Sequence, residues 1–174
     1  MRKLYSLVFS VLLLAIACTG GNPTNTTPSN TNSAPAASDR GTSVLQMAGG
    51  TVSVEYGRPA LKGRDLEKMI EPGQEWRMGS NAATTLTTDL GLKFGDKVVP
   101  AGKYVLQAKP LEDQRWLLLI KREDNSTVAE APLAFEKIDR AAEALTIDLS
   151  ARKDGGKFML HWGHLTLSTD FEKA

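Results

Sequence analysis

A chain of 174 residues with 21 Lys and Arg against 20 Asp and Glu carries a formal net charge of only +1. That balance excludes the concentrated basic footprint by which proteins hold a nucleic-acid backbone. A single cysteine, Cys18, excludes a disulfide framework inside the chain.

Met1 to Ala17 opens with Arg2 and Lys3 and continues as an apolar run from Leu4 to Ile16, interrupted only by Ser6 and Ser10. The run is too short and too basic at its start for a spanning helix, and reads as a secretion signal over residues 1–17. It ends in Leu14, Ala15, Ile16, Ala17, Cys18, which resembles the lipobox of bacterial lipoproteins. That resemblance implies a lipid (palmitate-type) anchor on Cys18, which accounts for a secreted chain with one unpaired cysteine. The expected location is the bacterial cell envelope, after export across the inner membrane. Thr19 after the cysteine favours the outer membrane facing the periplasm, with the membrane met only through the lipid.

Residues 18–41 are almost entirely Thr, Asn, Ser, Pro, Gly and Ala beyond the cysteine. Such a stretch cannot bury enough surface to offset its ordering entropy and is expected to be a disordered tether. Roughly 20 flexible residues reach about 25 Å. Residues 42–174 remain, 133 residues that make one domain of ordinary size. Because the leader holds Arg2 and Lys3 and no acid, the rest of the chain has 19 basic against 20 acidic residues.

Along this domain the periodicity is two rather than 3.6. Val44 to Ala48 and Thr51 to Tyr56 flank a Gly-Gly turn, with Val52, Val54 and Tyr56 on one face. Pro59 ends that segment, and Ala60 to Ile70 reads as loop with one helical turn over Asp65 to Met69. Thr84 to Thr88, Leu90 to Phe94, Lys97 to Val99 and Lys103 to Ala108 read as strands. Arg115 to Lys121 is apolar on both faces and is expected at the centre of the sheet. Leu133 to Ile138, Ala144 to Ser150, Lys157 to Trp162 and Leu165 to Phe171 follow. Phe135 to Leu145 is the nearest competitor for a helix. Nine or ten short strands with Gly-rich turns predict an all-β domain, an antiparallel β-sandwich or jelly roll.

The most polar stretch lies between the second and third expected strands. Arg58, Lys62, Arg64 and Arg77 place four cations in loop-rich sequence, followed by Asn81, Thr84 and Thr85. Arginine forks bind carboxylate, sulfate or phosphate, so Arg58, Lys62, Arg64, Trp76, Arg77 and Asn81 form a candidate pocket for a small acidic or sugar-like ligand. The competing reading is structural: Arg58 and Arg77 pair with Glu55 and Glu75, beside Tyr56 and Thr84, and fix the loop to the sheet. Glu55 and Glu75 would also suit a hydrolase if they faced one cleft. A third alternative is an envelope assembly protein that meets a protein partner through a sheet edge. Trp116 and Trp162 lie on apolar strand faces and are expected in the core, which leaves Trp76 as the site aromatic. His161 and His164 fall on opposite faces of a strand and lack further metal ligands. No nucleophile elbow, P-loop or dinucleotide motif is present, so neither a catalytic set nor a cofactor or metal is expected.

The strings EYGRPALKGR, EWRMGSNAATT and VVPAGKYVL, a strand through Trp116 and a late HWG occur in this order from Ser43 to Phe171. Together they resemble the bacterial domain of unknown function 2911 family. The resemblance implies a secreted or lipid-anchored, mostly β protein with no assigned activity. Where family members carry a Gly near an Ile-Phe pair after the Lys-Gly-Arg loop, this chain has Leu66, Glu67 and Lys68.

Overall fold

The computed structural model describes residues 40–66 and 68–174. They fall within one compact unit, Pro35–Ala174. The leader 1–17, Cys18 and the tether up to residue 39 lie outside the described residues.

Among the described residues every regular element is a strand: β1 (Arg40–Met47), β2 (Gly50–Gly57), β3 (Thr84–Thr88), β4 (Leu92–Phe94), β5 (Lys97–Val99), β6 (Gly102–Pro110), β7 (Trp116–Lys121), β8 (Thr127–Arg152) and β9 (Gly155–Lys173). They form one nine-stranded sheet in the order β1-β2-β3-β6-β7-β8-β9-β4-β5. Each named pairing is antiparallel. The all-β class follows from the alternation already visible in the chain. On β2, Val52, Val54 and Tyr56 are buried, and on β6 so are Tyr104, Leu106 and Ala108.

The first hairpin forms as expected, one residue out of place. Met47 faces Gly50, so the turn residues are Ala48 and Gly49, and Gly49 takes φ +97. β1 also begins at Arg40, four residues before Val44, because Arg40 to Ser43 pair with Gly57 to Val54. β7 is fifth of nine, between β6 and β8, and buries Leu118, Leu119 and Ile120, so both of its faces are covered. In the 60–70 loop the expected helical turn is a single hydrogen-bonded turn, with the Met69 and Ile70 amides donating to the Leu66 carbonyl.

The largest departure from the expected strands is their length. Leu133 to Ile138 and Ala144 to Ser150 are parts of one 26-residue strand, β8, and the two last segments are one 19-residue strand, β9. Phe135 to Leu145 is extended rather than helical because Phe135 to Lys137 and Ala142 are held opposite β9 and Ala144 bridges Ala60, and tertiary pairing outweighs local preference. Register slips between Lys137 and Ala142 and between Ala142 and Thr146 let β8 bend without ending. Its first part, Thr127 to Leu133, pairs with β7, and Ala134 to Arg152 pairs with β9. The second part comes back to β1, where the Leu149 amide donates to Ser43 Oγ at 2.8 Å.

The sheet therefore folds over on itself, in accord with the expected sandwich-like packing. Between its two parts lies one core. Val54, Leu86, Leu106, Leu118 and Ile120 come from one side, and Leu145, Ile147, Phe158, Leu160 and Leu167 from the other. Among the described residues every member of that core lies between Leu45 and Phe171, within the unit 35–174.

Ile120→Ala in this unit removes fully buried contacts at the sheet centre. The expected cost is about 2–5 kcal/mol, a fall of at least about 6 °C in thermal midpoint for a domain of this size. Hydrogen bonds from Ser126 hold the Asp124 carboxyl below the usual carboxylate range. Its contribution to the 122–126 turn is present above the ordinary carboxylate pKa and lost as pH falls through the lowered value. The Ser126 amide shift should report that loss only in strongly acidic solution.

Candidate functional site

The connection from β2 to β3 builds the site, and it begins by repairing a break in β8. Between the register slips, Glu143 and Leu145 have main-chain groups that β9 does not engage in the regular register. Pro59 to Leu61 supplies partners. Ala60 bridges Ala144, the Leu61 amide donates to the Glu143 carbonyl at 2.5 Å, and the Leu145 amide donates to the Pro59 carbonyl at 3.1 Å. Lys62 and Gly63 then take φ +49 and +69, a pair of left-handed residues that reverses the chain, closed by Arg64 N–H to the Leu61 carbonyl at 2.9 Å. The Lys62 amide at the tip donates to Glu143 Oε1 at 2.9 Å. Leu61 and Leu66 settle against β9 at Gly163 (φ +56), opposite the β8 bulges, where a Cβ would lie 3.0 Å from Leu66 Cδ1.

This turn aims two arginines. Arg58 Nε donates to the Leu145 carbonyl at 3.4 Å. Arg64 uses Nε on the Leu61 carbonyl at 3.1 Å and Nη2 on the Ala60 carbonyl, and its guanidinium lies 5.5 Å above the Trp162 ring. Arg58, Pro59, Ala60, Lys62, Arg64 and Ser80 line a depression of about 530 Å³. Ser80 reaches it because Gly57 has no side chain; a Cβ there would stand 2.1 Å from the Ser80 carbonyl oxygen. No ion pair involves Arg58, Lys62 or Arg64 among the described residues. A second depression, of about 520 Å³, is lined by Gly102, Lys103, Tyr104, Arg122, Glu123 and Asp124, and its two cations are matched by two carboxylates.

The other expected site residues go elsewhere. Trp76 exchanges both main-chain hydrogen bonds with Ala108, at 2.7 and 2.8 Å. Its ring stacks on Trp162 at 5.9 Å and 8°, with Trp116 edge-on at 6.4 Å. Trp162 is 2% exposed, whereas Trp76 and Trp116 are half-buried against the core, so the three indoles form one cluster behind the depression. Arg77 Nη1 donates to the Asn81 carbonyl at 3.3 Å, and both residues are exposed outside the lining. Asn81 and Met78 hold left-handed conformations, φ +60 and +50, and Thr84 Oγ1 ties the Met78 carbonyl at 3.0 Å. Tyr56 is buried beneath Gly41.

The expected network of Arg58 and Arg77 with Glu55 and Glu75 does not form. Glu55 meets Arg40 at 3.8 Å, across the β1–β2 pair. Because Trp76 turns inward beside Ala108, its neighbour Glu75 points to the opposite face and reaches Lys121 at 2.5 Å. Lys121, only 4% exposed in its side chain, is the charged residue that sequence reasoning missed. Asn125 Oδ1 also accepts from it, at 3.3 Å. The signal was a lysine closing a continuous apolar run on the central strand. Glu55 and Glu75 thus have separate partners, and neither lines the depression. His161 Nδ1 lies 2.9 Å from Thr166 Oγ1, and His164 Nδ1 donates to the Ile138 carbonyl. Among the described residues no group of three His, Cys, Asp or Glu could hold a metal.

Glu75→Ala leaves the Lys121 ammonium buried without its carboxylate. Because Glu75 is itself 40% exposed, the cost should be about 1–3 kcal/mol, below that of a fully buried pair. Arg77→Ala removes one exposed hydrogen bond and should change stability by no more than about 0.5 kcal/mol. Gly57→Ala forces Ser80 away and should cost about 1–3 kcal/mol. Chemical denaturation of the three variants of the 35–174 unit checks this order.

No curated protein and no solved structure matches the chain. A family model described as "Protein of unknown function (DUF2911)" matches residues 38–171, from just before β1 almost to the end of β9. The chain belongs to the DUF2911 family of proteins of unknown function.

Proposed function

We propose that this protein is a non-catalytic lipoprotein of the bacterial cell envelope that holds a small acidic or sugar-like ligand in the depression bounded by Arg58, Lys62 and Arg64. The observation that carries the reading is three cations gathered without a carboxylate partner among the described residues. Like charges held together are relieved by an anion, and arginines already fixed by main-chain carbonyls lose little freedom when they bind one. The left-handed backbone at Lys62 fits a turn shaped for display, since such conformations cost energy and persist where surrounding structure enforces them. The envelope location rests on the leader and the sequence around Cys18.

Calorimetric titration of the 35–174 unit with glucuronate tests the site. Arg58→Ala and Lys62→Ala should each weaken binding by about tenfold or more, the loss of one charge-assisted contact. Equal binding by the variants, or no binding of glucuronate or of any other small anion, would refute the reading. Labelled palmitate should enter the full chain in a bacterial host and fail to enter Cys18→Ser; labelling that survives the substitution would remove the anchor.

A further inference from the structure

Resting on the anion-binding reading above, we infer that the depression is built for a tetrahedral dianion, the phosphate of a phosphomonoester, rather than for a single carboxylate. Charge comes first. Arg58, Lys62 and Arg64 line the depression. The carboxylate hydrogen-bonded to the same turn is Glu143, through the Lys62 amide. Asp65, the next acid along the chain, faces Lys68 at 3.5 Å. Among the described residues, the three lining cations and Glu143 leave a surplus of two positive charges. A carboxylate or a sulfate monoester neutralises one of them, whereas a phosphomonoester at neutral pH carries about −1.5 to −2.

Donor geometry leads to the same group. Arg58 spends only Nε on the protein, so its two terminal nitrogens remain as a fork. Arg64 spends Nε and Nη2 and keeps Nη1 fully available. Lys62 and Ser80 line the depression from two further positions of the chain and carry an ammonium and a hydroxyl. A planar carboxylate held by the Arg58 fork keeps only its outer lone pairs, in that same plane, for the remaining donors. The three terminal oxygens of a phosphomonoester diverge and can engage donors from several sides. At about 530 Å³ the depression exceeds a bare phosphate, which leaves room for the esterified group. A free phosphorylated metabolite and a lipid headgroup ending in a monoester phosphate present the same chemistry.

The three indoles supply the readout, because Arg64 lies over Trp162 and Trp162 stacks on Trp76. Methyl phosphate and methyl sulfate share shape and differ in charge, so both are titrated into the 35–174 unit at fixed ionic strength and pH 7.5, with glucuronate beside them, following tryptophan emission. Methyl phosphate should bind at least about tenfold more tightly than methyl sulfate or glucuronate, and Arg58→Ala and Lys62→Ala should each reduce that preference to about threefold or less. Equal binding of the three probes overturns the dianion inference and leaves the anion site standing; no binding of any probe removes both. Phosphatidylcholine vesicles containing phosphatidic acid identify the source. Competition by these vesicles, and not by vesicles containing phosphatidylglycerol, supports a lipid headgroup. Tight methyl phosphate binding without vesicle competition supports a soluble ester.

Discussion

The structure depends on one strand that has to serve two parts of a folded sheet. β8 leaves β7, bends, and continues beside β9, and it can do so only by slipping register between Lys137 and Thr146. A slip leaves main-chain donors and acceptors without their regular ladder partners, and buried groups of that kind are costly unless something else satisfies them. Pro59 to Leu61 meets that need through the Leu61 amide and the Pro59 carbonyl. The β2–β3 connection is held where it is by this repair, and the cations it carries are displayed there as a consequence.

Charge is divided within the same connection. On its return leg Glu75 reaches across to the buried ammonium of Lys121, an ion pair inside the framework. On its outward leg Arg58 and Arg64 are pinned by carbonyl oxygens, which orient a guanidinium without neutralising it. Carboxylates in those places would have fixed the arginines equally well and cancelled their charge. The difference between the two legs separates a contact that supports the fold from an arrangement that leaves charge available.

The aromatic cluster connects the legs. Trp76 arrives on the return leg, Trp116 at the start of β7 and Trp162 on β9, and the indoles pack within 6.4 Å of one another in the two measured pairs. Arg64, from the outward leg, closes over the Trp162 face. Since the guanidinium keeps its charge while its flat face covers an indole, the contact is compatible with an anion at its edge.

Much of this was legible in the chain before its fold was known. Alternation of apolar residues located β2 and β6, because a strand with one covered face must repeat every second residue; β-propensity marked β3, and a continuous apolar run marked the buried centre of β7. The family motifs, and the clustering of Arg58, Lys62 and Arg64, are likewise properties of the sequence. It could not reveal that four expected segments merge into β8 and β9, since a bulge absorbs extra residues without any turn signal. Nor could it choose partners for the charges. Glu75 lies two positions from Arg77 yet pairs with Lys121, because the Trp76–Ala108 bridge sets which side of the sheet each neighbour faces. Local pattern determined which residues are extended and which are polar; only the folded sheet, by bringing β8 against the β2–β3 connection, decided which cations were left facing open space.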